Sequence, residues 1–373
     1  MPPYSLYFHY PFCIKRCPYC GFATAVEKED LAVRYREALL VELKRRLDEE
    51  PWKNNEIKTV YFGGGTPSLM PPEYIATLLA ILNSKFQIPN LEITLEANPE
   101  TRDVKAFEGF RKAGVNRLSM GAQSFNPEEL KVLGRAHSAG GVFEAVKMAR
   151  AAGFDNISLD LIYGVPGQSV ESFQRSVETC ISLDVEHIST YTLSIEEGTP
   201  FQRSIKEKRF PYPDPDLMAD QYAVLIDLMR QAGFEHYELT NYAKPGYHSR
   251  HNSAYWDRSS YLGIGNGAHS FDGRRRFWNR RDTRAHITEV MAGRDPTEGE
   301  EILTSAQILE EEVYLRLRAK AGLTEDLIAR ECNAASFRSL VSGGFLVREG
   351  EVWIVAEEKW LMLDEVVIRL MEK

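Results

Sequence analysis

His9-Tyr10-Pro11-Phe12-Cys13-Ile14-Lys15-Arg16-Cys17-Pro18-Tyr19-Cys20-Gly21-Phe22 places three cysteines in one tight loop. Iron-sulfur clusters normally take four thiolates, so a CxxxCxxC triplet reads as three thiolates around a metal centre with one position left open for a small molecule. A structural zinc site would close its tetrahedron with a fourth Cys or His, and His9 is near enough in sequence to be considered. His9 belongs, however, to an apolar strand pattern with Leu6, Phe8 and Tyr10, two residues before Pro11. Five cysteines form an odd, sparse set in 373 residues, and no secretory signal precedes them, so disulfides are not expected. Cys180 and Cys332 stand alone in helical patterns and read as small buried hydrophobes.

Composition narrows the class. With 43% hydrophobic and 27% charged residues the chain has the make-up of an ordinary globular protein. Its length suits one barrel plus an appendage. No apolar run approaches the roughly 20 residues of a membrane helix, so a soluble, cytoplasmic protein with free thiols is expected. A net charge of -9 argues against binding nucleic acid, where a basic surface supplies much of the affinity. One local exception is Arg274, Arg275, Arg276, Arg280 and Arg281 around Phe277 and Trp278, a solvated hairpin or a place that holds carboxylates.

Short β-branched and aromatic runs alternate with longer amphipathic stretches, the pattern of strand-helix units around a parallel sheet. Strands are expected at Leu6 to Tyr10, Thr59 to Phe62, Glu92 to Glu96, Arg117 to Gly121, Ile157 to Ile162 and Ile188 to Leu193. Helices are expected at Ala32 to Leu47, Glu73 to Ser84, Val104 to Ala113, Gly141 to Ala152, Val170 to Leu183 and Leu217 to Ala232. That makes a partial (β/α)6 TIM-like barrel over residues 1–233, short of the full eightfold one. Residues 234–299 read as a connecting region around His251-Asn252-Ser253-Ala254-Tyr255-Trp256. In residues 300–373, helical patterns followed by Phe345-Leu346-Val347 and Val352-Trp353-Ile354 suggest a winged-helix-like α+β module. Its acidic balance favours packing against the barrel over binding DNA.

The polar motifs fall where strands end, the position at which parallel α/β folds place their sites. Gly63-Gly64-Gly65-Thr66-Pro67 follows the second strand, Glu96-Ala97-Asn98-Pro99 closes the third, Gln123 follows the fourth and Asp160 lies in the fifth. A glycine triplet lets backbone approach a ligand closely, and without the cysteines it would read as a tight turn. An amino-acid ligand chelating an open iron needs acceptors for its ammonium, donors for its carboxylate and partners for any attached sugar. Glu96, Gln123, Arg135 and Asp160 are groups of those kinds; singly each reads as a cap, an ion-pair partner or a solvated residue.

The triplet, the glycine run and the six-unit pattern resemble the radical S-adenosylmethionine superfamily, whose partial barrel holds a 4Fe-4S cluster. More narrowly, Tyr7-Phe8-His9-Tyr10-Pro11-Phe12-Cys13, Gly63 to Pro67, Leu118-Ser119-Met120-Gly121-Ala122-Gln123-Ser124-Phe125 and Leu159-Asp160-Leu161-Ile162-Tyr163-Gly164-Val165-Pro166 are similar to the oxygen-independent coproporphyrinogen III oxidase group. That likeness runs along nearly the whole chain. It implies that Cys13, Cys17 and Cys20 bind the cluster and that Tyr7 and Tyr19 contact S-adenosylmethionine. Gly64, Gly65 and Thr66 would lie along its methionine moiety, and Glu96, Gln123, Arg135 and Asp160 would complete the pocket. In the superfamily an electron from the reduced cluster cleaves the sulfonium to a 5'-deoxyadenosyl radical.

Two departures weaken the oxidase reading. The oxidase triplet is followed by Gly-Cys, whereas Gly21 is followed by Phe22, and the oxidase carries an N-terminal extension where twelve residues precede Cys13 here. His251-Asn252-Ser253-Ala254-Tyr255-Trp256 matches instead the HNxxYW signature of the HemW-type haem chaperones. That resemblance implies haem binding and haem transfer to acceptor proteins such as respiratory enzymes, without turnover of coproporphyrinogen. His251 is the candidate haem ligand, since imidazole suits haem iron and Tyr255 and Trp256 could cover a porphyrin face; a lone histidine beside Asn in a polar loop is more often a structural hydrogen bonder. A homodimer linked to the cluster is a further implication. The oxidase remains the alternative, and radical modification of RNA is disfavoured by the acidic balance.

Overall fold

Ser5, Tyr7 and His9 alternate with Leu6, Phe8 and Tyr10, and strand geometry sends the two sets to opposite faces of a sheet. In a computed structural model, which describes residues 3–86, 90–100 and 103–372, this segment is strand β1, Tyr4–Tyr10. It is followed by β2 (Ile57–Gly64), β3 (Glu92–Ala97), β4 (Arg117–Gln123), β5 (Ile157–Tyr163) and β6 (His187–Thr192). The six lie side by side in chain order and all parallel, with Tyr7 opposite Tyr61, Glu96 opposite Ser119 and Asp160 opposite Ser189. Helices Glu29–Arg46, Pro72–Lys85, Val104–Ala113, Ala139–Ala151, Val170–Ser182 and Pro215–Gln231 connect or follow them. The expected partial barrel is therefore present, with boundaries moved by a few residues.

The alternation continues strand after strand. Leu6, Phe8, Val60, Phe62, Leu95, Leu118, Met120, Leu159 and Ile188 are buried in one cluster with helix residues such as Leu39, Leu78, Phe110 and Val177. The opposite face carries Ser5, Tyr7, Thr59, Tyr61, Thr94, Glu96, Arg117, Ser119, Ser158, Asp160, His187 and Ser189. Burial of the apolar face drives folding, and the lumen is left polar. Side-chain caps fix several helix starts: Asp103, Ser138, Ser169 and Asp214 each accept a backbone N–H of the first turn.

Residues expected to be a connecting region instead extend this sheet at both edges. β7 (Glu235–Glu238) and β8 (Asn241–Ala243) form a hairpin whose second strand pairs antiparallel with β6. At the other edge β9 (Tyr261–Ile264) runs parallel to β1 and is followed by antiparallel β10 (His269–Phe271), β11 (Arg275–Asn279) and β12 (Thr297–Ile302). Twelve strands among the described residues thus share one sheet.

A buried polar network ties the β1-side edge to the first helix. Glu42 and His286 have no exposed side-chain surface and meet at 3.1 Å. Glu42 also accepts the Gly265 backbone N–H at 2.9 Å and the Asn279 amide at 2.7 Å.

Beyond residue 302, helices surround a three-stranded antiparallel sheet of Leu323–Thr324, Val352–Val355 and Leu346–Glu349, in that spatial order. Glu357 clamps this module to the barrel: its carboxylate accepts from His236 Nδ1 and Arg230 Nη2, each at 2.9 Å. The His236 ring lies between Tyr242, 4.0 Å away, and Trp360, 4.2 Å away. Among the described residues no helix is long and apolar enough to cross a membrane.

Candidate functional site at the mouth of the barrel

The C-terminal ends of the six strands open onto a cavity of about 520 Å³. All three loop cysteines line it, together with Tyr19, Gly64, Gly65, Thr66, Glu96, Gln123, Arg135 and Asp160. Residues separated by up to 147 positions in the chain therefore converge as the motif reading expected, because parallel strands deliver every C-terminal loop to one end.

The cysteine loop is held from several sides. Gly65 N–H donates to the Tyr10 carbonyl and Thr66 N–H to the Phe12 carbonyl, each at 2.8 Å. Ala25 N–H reaches back to Pro11 and Glu27 N–H to Cys13, while Tyr35 Oη donates to the His9 carbonyl at 2.8 Å. All five cysteines are free. Burial pushes the Cys13 thiol up to about 11, against a hydrogen bond from Thr66, and burial also raises Cys20. Arg135 Nη1 lies 3.6 Å from Cys17 Sγ.

Three thiols around one zinc ion would sit about 4 Å from one another, given Zn–S bonds near 2.3 Å. Among the described residues no three His, Cys, Asp or Glu side chains stand close enough to share one ion in that way. His9, the candidate fourth zinc ligand, has Nε2 on the Ala23 carbonyl at 3.0 Å and Nδ1 on Tyr7 Oη at 3.1 Å. Burial holds its pKa down at about 4, so the ring is neutral and engaged at both nitrogens. A 4Fe-4S cubane gives each thiolate its own iron, which suits three thiols carried on one loop beside a cavity.

The glycines earn their places through protein contacts. A Cβ on Gly64, whose φ is +114°, would lie 2.6 Å from the His9 ring, and one on Gly65 would lie 2.7 Å from the Pro11 carbonyl. Close packing of the turn on the cysteine loop excludes side chains there. Glu96 holds the same turn, accepting Gly64 N–H at 3.0 Å and the Tyr61 hydroxyl at 2.8 Å. Burial raises the Glu96 pKa to about 7, and burial raises Asp160, which accepts from Ser119 Oγ at 3.2 Å.

Arg135 is anchored by Asn98 Oδ1 at 2.6 Å and the Gly121 carbonyl at 3.0 Å, while its buried Nε has no partner among the described residues. Gln123 has φ +65° at a register shift in β4, a conformation a non-glycine residue keeps only when its surroundings impose it. Acceptors, a guanidinium and polar backbone beside the thiols form a donor and acceptor set that fits an amino acid with an attached nucleoside.

Two expected site residues, Tyr7 and His251, are not among those lining the cavity. The Tyr7 ring packs in the lumen 6.1 Å from Tyr61 and 6.5 Å from His251. His251 sits at the opposite end of the barrel, on helix Arg250–Trp256, with backbone N–H donating to Glu92 at the start of β3. Its Nδ1 meets Thr59 Oγ1 at 2.8 Å and its Nε2 meets Tyr255 Oη at 3.1 Å. The side chain is buried, and burial followed by the charge of Arg117 lowers its pKa to about 3. The expected haem ligand is thus a neutral imidazole with both nitrogens occupied, plugging the barrel floor.

Sequence reading passed over Asn98, Ser119, Tyr191 and Glu196, which also line the cavity. Ser119 and Tyr191 were available from strand alternation, as they share the parity of Gly121 and Ser189. Glu196 comes from the loop after β6, which carries no motif.

A three-cysteine loop at the top of a six-stranded parallel partial barrel defines the class: a radical S-adenosylmethionine protein. The family model described as Radical SAM superfamily matches residues 7–180. The chain is 36% identical to the Heme chaperone HemW of Mycobacterium tuberculosis (strain ATCC 25618 / H37Rv), covering 99% of this chain and 95% of that one. It is 35% identical to Heme chaperone HemW of Escherichia coli (strain K12), with 98% of each covered. Among solved structures, the coproporphyrinogen III oxidase HemN of Escherichia coli superposes with a TM-score of 0.84 over 99% of this chain and 90% of that one, at 24% identity, and so shares the fold. The chain belongs to the HemW family of haem chaperones.

Proposed function

We propose that this protein binds haem and delivers it to haem-requiring acceptor proteins, on a scaffold carrying a 4Fe-4S cluster and S-adenosylmethionine. The observation that carries the reading is identity of 35–36% with haem chaperones along essentially the whole chain. Cys13, Cys17 and Cys20 would hold the cluster, leaving one iron open. Tyr19, Gly64, Gly65 and Thr66 would line the methionine portion of the cofactor, with Glu96 and Asp160 accepting from its ammonium and ribose. Arg135 would donate to its carboxylate, and Gln123 would close the pocket. Tyr7 and His251 would support this set from the lumen.

When bound and reduced, the cluster supplies the electron that superfamily members use on the sulfonium. The protein's own contribution is to orient the cofactor and shield it from water. Respiratory enzymes are the acceptor class the reading favours, a cytoplasmic setting suits the free thiols, a homodimer linked to the cluster belongs to the reading, and nucleic acid has no part in it. The three units 1–233, 234–299 and 300–373 would be a catalytic-type barrel, its completing strands and a packing module.

The test is anaerobic reconstitution followed by haem titration, incubation with coproporphyrinogen III, and incubation of the haem-loaded protein with a haem-free cytochrome. Haem uptake, haem transfer and no protoporphyrinogen are expected. Steady decarboxylation of coproporphyrinogen would instead make the chain an oxidase.

A further inference from the structure

Of eight histidines, His9, His137, His187, His236, His251 and His286 are buried. His248 and His269 are exposed, and His248 Nε2 is occupied by Glu235 at 2.7 Å. The His269 imidazole makes no hydrogen bond among the described residues, and it lies 5.7 Å from the Trp278 indole at an interplanar angle of 27°.

The register of the sheet fixes where this pair faces. Tyr7, a lumen residue, is opposite Gly263; Tyr261 is paired with Phe271, which sets Gly263 beside His269. His269 is opposite Trp278, and Trp278 is opposite Gly299. Directly paired residues project to the same face, so the lumen surface continues past β1 as a shelf of Gly263, His269, Trp278 and Gly299. Both glycines are required: a Cβ on Gly263 would lie 2.3 Å from the His269 carbonyl, and one on Gly299 would lie 2.5 Å from the indole. The indole therefore lies flat on the strand, and nothing at position 263 stands up beside the imidazole.

Charge completes the shelf. Arg281 packs beside this strand, its Cγ 3.8 Å from where a Cβ on Gly267 would stand, two residues before His269, and burial and then Arg276 and Arg281 lower the His269 pKa. Arg276 is neutralised by Glu301 and Glu311. Arg281 is exposed, has no carboxylate partner among the described residues, and donates to the Gly21 carbonyl at 2.9 Å, next to Cys20. Phe22, 67% exposed, and Ile14, 58% exposed, add apolar surface on the same loop.

We infer that this shelf is the haem site, with His269 as axial ligand, the edge of the Trp278 indole against the porphyrin and Arg281 on a propionate. The inference rests on the haem-chaperone reading and names the residues that carry it. A free imidazole, an indole edge and a guanidinium without a carboxylate partner match the iron, the rim of the macrocycle and the carboxylate of haem, respectively.

The experiment titrates haemin into the anaerobically reconstituted full chain and into His269→Ala, Arg281→Glu, His251→Ala and His248→Ala, read by Soret absorbance. Iron-free protoporphyrin IX is the second probe. His269→Ala is expected to lose the imidazole-ligated spectrum and weaken haemin binding at least about tenfold, while its affinity for protoporphyrin IX stays near wild type. Arg281→Glu is expected to weaken both probes by roughly tenfold. Iron and sulfide content and far-UV circular dichroism should be unchanged in both, which separates ligand loss from misfolding. Haemin binding and spectrum that survive His269→Ala but not His251→Ala or His248→Ala would overturn the assignment alone. Failure of the wild type to bind haemin would overturn the chaperone reading, and this inference with it.

Discussion

Glu96 Oε2 accepts the backbone N–H of Gly64 at 3.0 Å, joining the end of β3 to the glycine turn that packs on the cysteine loop. With burial raising its pKa to about 7, the carboxyl changes charge near neutrality. A protonated carboxyl is a poorer acceptor for an ammonium, so S-adenosylmethionine affinity is expected to weaken as pH falls through about 7. In Glu96→Gln the affinity should drop by about tenfold at pH 8 and lose that pH dependence. Equilibrium binding of the labelled cofactor between pH 6 and 8 checks both points.

Cys13→Ala is expected to abolish the cluster, because two remaining loop thiolates cannot hold a cubane that already lacks a protein ligand on one iron. Iron and sulfide per chain should fall to near zero, while Cys180→Ala, a change in the buried core, should leave both unchanged. Cluster content that survives Cys13→Ala would remove the basis of the superfamily chemistry.

Gln123 holds φ +65° while lining the cavity. Strain of this kind costs of order 1–3 kcal/mol, and glycine relieves it at an unfolded-state cost of about 0.4–1 kcal/mol. Gln123→Gly should therefore be as stable as the parent or up to about 2.5 kcal/mol more so, yet bind S-adenosylmethionine more weakly. Urea unfolding alongside cofactor binding measures the trade; a variant both less stable and unaffected in binding would contradict it.

At Glu357 burial acts to raise the pKa, but hydrogen bonds from His236 and Arg230 outweigh it and hold the carboxyl at about 2. A depressed folded value means the stabilisation is present above the ordinary glutamate pKa of about 4.3 and is lost as pH falls toward 2. Glu357→Gln should loosen the C-terminal module at pH 7 and flatten the acid limb of the stability curve below about pH 4. Tm followed from pH 7 to pH 3 reads this, and tryptophan fluorescence reports Trp360, which packs on His236.

Strand-helix alternation was legible because apolar faces recur with periods that a single chain displays. The cysteine triplet and the strand-end motifs were legible because loop chemistry is local, and all but one of the residues expected around the cofactor line the cavity. Tyr7 stayed out because its ring packs in the lumen against Gly63, stacked toward Tyr61. Residues 234–299 were read as a connecting region because their strands are short and Gly-rich. Their pairing with β1 and β6 depends on partners more than 40 residues away.

By itself, then, the sequence determined the superfamily and the mouth of the barrel, since both rest on local spacing and on periodicity. Only the tertiary structure decided which imidazole meets solvent. His251 and His269 are both histidines near aromatics in the sequence, but one is sealed beneath Tyr61 and Tyr255 with both nitrogens bonded. The other stands free on a shelf that exists only once β9 to β12 have joined the sheet. Burial and hydrogen-bond saturation are set by partners distant in the chain, and no motif of six residues can report them.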